Sequence, residues 1–440
     1  MSDCRKIAYM VLKRVLKDNA YSALALNSLI KSNNLDKRDS SFVSNIVYGV
    51  LENKLLLDDI VRQYSNIKLN KIDFDTLLLL EIGLYQIIYM DKVPDNASVN
   101  ETVNLAKKIK LYKTSGFINA ILRNFLRNDK KYKTSDELSI KYSVDDNIVK
   151  LLVDFYGREI TEKILSSFFG RPKIYIRINN LKTNKKELIT LLKNEGVVVS
   201  ENNILENTLE IENTGSIEKL DTFKNGFFYI EDLSSQICAE ILDCKSDDVL
   251  CDICSAPGGK SFYSAMKMNN KGTIYSYDLH KHKINLIDEN AKRLSTDIIT
   301  SFVRDATDNN IKLPGCNKLL CDVPCSGLGI MKRKPEIRYN KVTNIDLLPQ
   351  LQYDILCINT KQCPINCDIV YSTCTLNPKE NRDVVDRFLS EHKNYVPVNI
   401  DLFDKIERII DEPSHMLTIL PYKYMCDGFF ISKFKKVSDD

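Results

Sequence analysis

The sequence lacks a strong excess of charge of either sign. Its 62 lysines and arginines nearly balance 59 aspartates and glutamates, which leaves a net charge of +3 and a pI near 8.1. This balance excludes a uniformly basic surface, so any contact with nucleic acid has to be a local patch. The composition, 44% hydrophobic and 28% charged, is that of an ordinary globular protein, and 440 residues predict two or three domains.

Long apolar runs are also missing. The most apolar stretch, DTLLLLEIGLYQIIYM, is short for a membrane span and contains Glu81, so it predicts a core helix. The opening segment, MSDCRKIAYMVLKRVLKDNA, has the pattern of a charged amphipathic helix and not of an export signal. The 13 cysteines are an odd number scattered through apolar runs, which favours reduced thiols over a disulfide framework. We therefore expect a soluble, cytoplasmic protein.

Internal repeats and low-complexity tracts are absent, but the composition divides the chain into three regions. Residues 1–130 have helical periodicity, and the spacing of Ser98 and Glu101 predicts a capping box that opens a helix. Residues 131–220 begin with a polar, lysine-rich segment and continue as a small mixture of strands and helices. Residues 221–440 alternate strand, turn and helix, which predicts a doubly wound, mostly parallel sheet.

The turn after the first strand of the third region, CSAPGGKS, lacks a phosphate-binding signature. A Walker A motif would need a glycine where Cys254 stands, and the turn is not a G-x-G-x-x-G motif. The adjacent Gly258 and Gly259 still let backbone amides approach a polar ligand at a helix N-terminus. Cys251 and Cys254 have the spacing of half a zinc site, but they lie in an apolar strand without a second pair. We therefore predict no metal.

Single carboxylates follow the next three predicted strands. Asp278 lies about 25 residues beyond the first strand, a spacing typical of an acid that holds ribose hydroxyls. Asp305 ends the third strand and Asp322 the fourth. Each acid alone is equally well explained as a helix cap or a solvated carboxylate. Together, after a glycine-rich turn without a phosphate signature, they favour a nucleoside site for S-adenosylmethionine over one for NAD or ATP.

Two cysteines follow the fourth and fifth strands. Cys325 comes after Pro324 in LLCDVPCSGLG, and Cys374 lies in VYSTCTLNPKEN. A buried cysteine is usually a small hydrophobe, but two beside a carboxyl group suit methylation at C5 of a pyrimidine. A thiolate added at C6 makes C5 nucleophilic towards a sulfonium methyl group, and an acid at the base edge stabilises the adduct at N3. The proline-cysteine pair by itself would favour Cys325 as the nucleophile.

Several sequence blocks resemble a known family. DICSAPGGKS, DVPCSGLGIMKRKPEIR, YSTCTLNPKEN and DGFFISKFKK are similar to the signature blocks of RNA cytosine-5 methyltransferases. LDKRDSSFVSNIVYGVLE and GFINAILRNFLR resemble a NusB-like RNA-binding domain. The combination resembles the bacterial 16S rRNA methyltransferases of the RsmB (Sun/Fmu) family over nearly the whole chain. It implies a multidomain fold: an all-α NusB-like domain over 1–130, a linker and small α+β subdomain over 131–220, and a Rossmann-like methyltransferase domain over 221–440.

The resemblance also implies roles for individual residues. Cys374 would be the nucleophile, Cys325 would promote release of the product, and Asp322 and Lys260 would reach the base. The residues that would hold S-adenosylmethionine come from the turn and the strand ends: Cys254, Ser255, Ala256, Pro257, Gly258, Gly259, Lys260, Asp278, Asp305 and Asp322. Ser255 and Val323 stand where alanine is common in the family, and neither change alters the expected chemistry.

A basic segment after Cys325 supplies candidate RNA contacts. Its cations could grip the phosphate backbone near a flipped base, although a solvated charged loop explains them equally well. These candidates are Lys332, Arg333, Lys334 and Arg338. Arg177 and Asn179 match a block of the middle subdomain, and the sequence leaves their role open.

The function implied is methyl transfer from S-adenosylmethionine to C5 of a cytosine in 16S rRNA, either free or partly assembled. We expect a monomer with no metal and no membrane contact. A transfer-RNA cytosine-5 methyltransferase is one alternative, because it shares the catalytic half, and the NusB-like region is the feature that argues against it. A non-catalytic RNA-binding or antitermination factor is the other, and the retained cysteines and acids argue against that.

Overall fold

The chain forms two compact units. In a computed structural model, residues 3–339, 345–401 and 405–439 are described. Unit 1 consists of Met1–Phe169 together with Met331–Lys341, and unit 2 of Gly170–Ile330 together with Val342–Asp440. None of the helices in these described ranges is long and apolar enough to cross a membrane.

Residues 3–169 of unit 1 are mainly helical, and the helices as far as Phe125 surround one apolar core. The helices are α1 (Cys4–Asp18), α2 (Ser22–Ser32), α3 (Lys37–Tyr64), α4 (Phe74–Tyr89), α5 (Asp95–Lys108), α6 (Tyr112–Arg127), α7 (Leu138–Tyr142) and α8 (Asp146–Ser167). Helix α4 confirms the core helix predicted from the most apolar stretch. Its Glu81 is buried, and Lys54 Nζ lies 3.1 Å from the Glu81 carboxylate, so the buried charge is paired.

The predicted capping box is wrong. Helix α5 already begins at Asp95, directly after Pro94, which has an extended conformation. Ser98 therefore lies inside the helix, where it is buried and its hydroxyl bonds to the Pro94 carbonyl. Proline at the helix start fixes the backbone without needing an amide donor, and this effect overrides the side-chain pattern three residues later.

Unit 2 begins with a small antiparallel sheet of order β2-β3-β1-β4. Its strands are β1 (Ile174–Ile178), β2 (Val198–Glu201), β3 (Thr208–Glu212) and β4 (Phe228–Ile230). Helix α9 (Lys185–Asn194) packs Leu188 and Leu192 against the sheet, and two more helices, α10 (Asp221–Lys224) and α11 (Leu233–Leu242), follow along the chain. The mixture of strands and helices predicted for this region is present.

The large sheet of unit 2 has the order β10-β12-β9-β8-β5-β6-β7, with β11 paired to β12. Its strands are β5 (Val249–Asp252), β6 (Thr273–Asp278), β7 (Ile299–Val303), β8 (Lys318–Asp322), β9 (Asp368–Thr373), β10 (Tyr395–Pro397), β11 (Met416–Ile419) and β12 (Phe429–Lys436). The accompanying helices are α12 (Gly259–Lys267), α13 (Lys281–Leu294), α14 (Leu348–Thr360), α15 (Arg382–Glu391) and α16 (Pro421–Tyr424).

The five predicted strands are the parallel strands β5 to β9. From β5 the chain builds outwards through β6 and β7, and then returns to the other side of β5 with β8. The strand order therefore reverses between β5 and β8, and a crevice for a ligand forms at such a reversal, beyond the carboxyl ends of the strands. β5 ends at Asp252 and β8 ends at Asp322, which places both carboxylates at this crevice.

Candidate active site

The two candidate cysteines lie side by side. Parallel pairing of β8 with β9 brings the loops that follow these strands to one edge of the sheet. The Sγ atoms of Cys325 and Cys374 are 3.3 Å apart, and both side chains are partly exposed. The hydrogen bond to Cys374 and then burial raise the pKa of the Cys325 thiol well above its ordinary value. Cys325 is therefore held as a protonated thiol beside Cys374.

A buried glutamate fixes the loop that carries Cys325. Glu380, which is fully buried, accepts hydrogen bonds from the Ser326 amide at 2.8 Å, from the Gln352 side chain at 2.9 Å and from the Asn377 side chain at 2.8 Å. The Ser326 hydroxyl also donates to it. Because Glu380 follows Cys374 in the chain, this one carboxylate ties the two cysteine loops together. Sequence reasoning missed Glu380, although it lies in the NPKEN block quoted for the resemblance.

The third component of the site is a lysine-aspartate pair. Lys260 Nζ lies 2.6 Å from Asp322 Oδ2, and the Ser372 hydroxyl donates to Asp322 Oδ1 at 2.7 Å. Burial lowers the pKa of Lys260, but Asp322 together with Cys238 and Glu231 outweighs this effect and raises that pKa. The ammonium group also lies 5.2 Å from the centre of the Phe429 ring. Lys260 is thus a persistent cation next to an oriented carboxylate.

The glycine-rich turn is closely packed, which explains its two glycines. Gly258 has φ +103°, and a Cβ atom there would collide with the Phe262 ring. A Cβ on Gly259 would lie 2.3 Å from the Glu231 carboxylate. Glu231 is a second residue that sequence reasoning missed, because it reaches the turn only through the fold. Ser255 holds the start of the turn through two hydrogen bonds to the Tyr277 carbonyl.

The predicted S-adenosylmethionine site contains an unsatisfied carboxylate oxygen. Asp252 is buried, and the Ser261 hydroxyl donates to its Oδ2 at 2.7 Å. Its Oδ1 is buried too and has no hydrogen-bond partner among the described residues. Burial raises the pKa of Asp252 to about 7. An open acceptor of this kind fits a ligand that carries an ammonium or hydroxyl donor, and S-adenosylmethionine carries both.

The other predicted cofactor residues differ in how they are placed. Asp278 is buried at the end of β6, where it accepts from the His280 amide at 3.1 Å. Cys254 lies close enough to Asp252 and Asp278 that burial, and then these charges, raise the pKa of its thiol. Asp305 is exposed and accepts hydrogen bonds from the amide and hydroxyl of Thr307. Both acids thus accept from an amide two residues further along the chain, and they differ in that Asp278 is buried whereas Asp305 is exposed.

The candidate RNA contacts all lie in the segment that packs within unit 1. Lys334 is exposed and sits 5.5 Å from the centre of the Tyr21 ring, while Lys332 and Arg333 are half-buried. Arg338 is fully buried and donates to the carbonyls of Tyr142 and Phe168, at 2.8 Å each. The prediction of an RNA contact is therefore corrected for Arg338, which holds this segment against α7 and α8. For the other three it stays a prediction.

Arg177 and Asn179 contact backbone carbonyls and an aromatic ring inside unit 2. The Asn179 side-chain amide donates to the carbonyls of Gly226 and Leu294, at 2.8 Å each. The Arg177 guanidinium lies 4.0 Å from the centre of the Tyr263 ring. Both side chains are buried, so they link the small sheet to helices of the large one.

Glu231 gives a testable pH dependence. Burial raises its pKa from 4.5 to about 7, although Lys260 opposes the shift. Between these values the folded protein holds a proton that the unfolded chain releases, so this group makes folding less favourable as pH rises from about 4.5 to 7. We expect Glu231→Gln to stabilise unit 2 at pH 8 by up to about 3 kcal/mol and to have little effect near pH 5. Melting temperatures at the two pH values test this, with the exposed Glu289→Gln as control. An equal effect of Glu231→Gln at both pH values would contradict it.

Glu380→Gln should loosen the cysteine loops. The amide nitrogen of glutamine would face donors that now bind a carboxylate, and a buried mismatch of this kind costs about 3 kcal/mol. We expect a lower melting temperature and a methyl-transfer rate that falls about 10-fold or more, because catalytic geometry tolerates little displacement. The affinity for RNA should be unchanged. Glu391→Gln, which alters an exposed glutamate on α15, is the matched control. Equal rates for the two variants would exclude a positioning role for Glu380.

Three family profiles match the chain in succession. The NusB family matches residues 2–127. A ferredoxin-like domain of RsmF/B-like methyltransferases matches residues 146–218. The family described as 16S rRNA methyltransferase RsmB/F matches residues 239–435, which include the turn, the acids and both cysteines.

Relatives of similar length cover the whole chain. The chain is 35% identical to a probable ribosomal RNA small subunit methyltransferase B from Bacillus subtilis (strain 168), with 98% of each chain covered. It is 32% identical to a protein of the same name from Synechocystis sp., with 99% of this chain and 100% of the other covered.

Two solved structures share the fold at 22% identity. PH0851 matches with a TM-score of 0.81 over 98% of this chain and 99% of the other. NSun6 from Pyrococcus horikoshii, solved with SFG, matches with a TM-score of 0.62 over 67% of this chain and 99% of the other. At this identity the likeness concerns the fold alone.

Proposed function

The chain belongs to the RsmB/F family of 16S rRNA methyltransferases, and we propose that it methylates C5 of a cytosine through a covalent adduct with Cys374. Membership of the family confirms the resemblance and the predicted multidomain fold. It also makes S-adenosylmethionine the methyl donor and ribosomal RNA the substrate class. The position of the methyl group, the adduct and the roles of the residues are the proposal. The observation that carries it is the 3.3 Å contact between Cys325 and Cys374.

We assign the nucleophile to Cys374. The Cys325 thiol is kept protonated and can donate a hydrogen bond to the Cys374 sulfur, which holds that sulfur in place for the attack. The thiolate adds to C6, and the electron pair of the C5–C6 double bond shifts through C4 to N3, which takes up a proton. C5 of the adduct is then an enamine carbon that can attack an electrophile. S-adenosylmethionine, when bound, supplies the electrophilic methyl group.

Asp322 and Lys260 would hold the base during this step. Once N3 of the flipped cytosine is protonated, N3–H and the N4 amino group are both hydrogen-bond donors. The Asp322 carboxylate can accept hydrogen bonds from these two groups. The Lys260 ammonium group is 2.6 Å from Asp322 and can donate to the neighbouring carbonyl oxygen of the base. Ser372 keeps the Asp322 carboxylate oriented. The pair thus stabilises charge that develops on the ring.

Cys325 would end the reaction. Once the Cys374 sulfur is bonded to C6, the hydrogen bond that raises the pKa of Cys325 is weakened. Cys325 can then lose its proton to solvent and take the proton from C5. The electron pair of the C5–H bond forms the C5–C6 double bond, Cys374 leaves as a thiolate, and N3 releases to solvent the proton that it took up. Product and free enzyme are restored without any further reagent.

The proposal is tested by methylation of 16S rRNA in vitro. The full chain, S-adenosylmethionine and unmethylated 16S rRNA should yield one new 5-methylcytidine, located by bisulfite sequencing and verified by mass spectrometry of the nucleosides. Transfer RNA from the same cells is the parallel substrate. Methylation of the transfer RNA alone would instead support the transfer-RNA alternative. Binding of S-adenosylmethionine without methylation of either RNA would argue against the catalytic proposal.

A further inference from the structure

Four buried cysteines belong to one core cluster beneath the large sheet, and three of them lie near the starts of β8 and β9. The Sγ atoms of Cys316, Cys363 and Cys367 all lie within 4.8 Å of one another, and the Cys316–Cys363 distance is 4.0 Å. Cys251, on β5, belongs to the same buried core cluster as these three. The side chains of all four are at most 3% exposed. Cys316 and Cys367 directly precede β8 and β9, whereas Cys325 and Cys374 follow the same strands.

We propose that Cys251, Cys316, Cys363 and Cys367 form a structural site for a thiophilic divalent cation, with zinc as the ion that fits best. Tetrahedral zinc with thiolates at 2.3 Å has sulfur–sulfur edges of about 3.8 Å. The separations among Cys316, Cys363 and Cys367 need only a small contraction to reach that value, and Cys251 in the same core cluster is the fourth ligand of the proposal. An iron–sulfur cluster places several irons and sulfides between its thiolates and so needs wider spacing. Four thiols without a histidine or carboxylate among them suit zinc better than a harder ion.

The charge around the cluster supports a bound thiolate site. Zinc with four thiolates carries a net charge of −2, because each thiol releases its proton to solvent as its bond to the metal forms. Lys436 is buried, and its ammonium group donates to the Cys363 carbonyl at 2.8 Å and also lies 2.9 Å from the Asp439 carboxylate. Arg304 is also buried, and its charge acts on Cys251. Its acceptors are the Asn359 side chain and the carbonyls of Asp308 and Ile311, none of them a carboxylate.

In the sequence, the cysteine with metal-like spacing to Cys251 is Cys254, and that pair was predicted to bind no metal. Cys254 lies among the acids of the cofactor site. The cluster instead joins β5 to the segments that lead into β8 and β9. A metal there would fix the starts of the two strands whose other ends carry the cysteine loops. The site is independent of the reaction proposed above.

The first measurement is the zinc content of the full-length wild-type chain. The protein is expressed with added zinc, purified under reducing conditions without chelator, and analysed by mass spectrometry of the metal. We expect one zinc per chain. Cys363→Ser combined with Cys367→Ser should lose it, and Cys238→Ser combined with Cys244→Ser should keep it, because those two buried cysteines lie outside the cluster. Wild-type protein without zinc, or retention of zinc by the Cys363/Cys367 variant, would overturn the proposal.

A second measurement does not depend on the folding of a variant. Zinc is removed from wild-type protein with a chelator, and Co²⁺ is added under anaerobic conditions. We expect the thiolate-to-cobalt charge-transfer bands and the intense visible bands of tetrahedral sulfur coordination, together with a higher melting temperature. An octahedral spectrum would overturn the proposal. So would a mass decrease that maps to a Cys316–Cys363 disulfide in the chain as purified.

Discussion

Replacing Cys374 by alanine is expected to abolish methyl transfer and every covalent complex with RNA. Without a nucleophile at C6, C5 of the ring has too little electron density to attack a methyl group. We expect the rate to fall by about 10⁴-fold or more, as when other catalytic nucleophiles are removed.

The measurement combines single-turnover methylation with denaturing gels of enzyme mixed with RNA that contains 5-fluorocytidine. Fluorine at C5 cannot leave as a proton does, so an attacking enzyme becomes trapped. Wild-type protein should be trapped and Cys374→Ala should not. Cys357→Ala, which removes a partly exposed cysteine on α14, is the matched control and should behave as wild type. Binding of S-adenosylmethionine by Cys374→Ala should be unchanged. Trapping of Cys374→Ala would assign the attack to Cys325.

The candidate site was predictable where its residues follow strands in a regular way. Apolar segments that end in a carboxylate or cysteine identify parallel strands, and parallel strands place their carboxyl ends at one edge. This rule suffices to bring Asp252, Asp322 and both cysteines together. To apply this rule, one needs to know that the strands are neighbours in a parallel sheet, but not their full order. The antiparallel strands β10, β11 and β12 were not predicted, because they do not follow the strand-turn-helix repeat.

The residues that support the site could not be predicted, because their contacts depend on distant parts of the chain. Glu231 comes from the segment before α11 and packs against Gly259. Cys251, Cys316 and the pair Cys363 and Cys367 come from three separate segments, so the short spacing of that one pair does not by itself reveal the cluster. Arg338 shows the opposite error, since a cation in a basic segment was expected to be exposed. Its guanidinium instead satisfies two buried carbonyls. Local pattern identifies the reacting groups, whereas packing decides what surrounds them.

Replacing Cys325 by alanine should have a different result, namely an enzyme that remains bound to its product. Cys374 is still able to attack C6, and the methyl group is still transferred. The C5 proton then has no base to take it, so the C6–sulfur bond does not break. Loss of a positioned base typically costs about 10²- to 10⁴-fold, and here the cost falls on release. We expect a burst of about one methyl group per enzyme followed by very slow turnover.

The adduct itself distinguishes this outcome from simple inactivation. Cys325→Ala incubated with unmodified 16S rRNA and S-adenosylmethionine should give a protein–RNA band that survives denaturant, and nuclease digestion should leave a methylated nucleotide on Cys374. The double variant Cys325→Ala with Cys374→Ala should give no band, because the first bond never forms. An adduct on Cys374→Ala, with none on Cys325→Ala, would reverse the two roles. The 3.3 Å contact alone is symmetric, whereas the trapped adduct reveals which of the two sulfurs attacks.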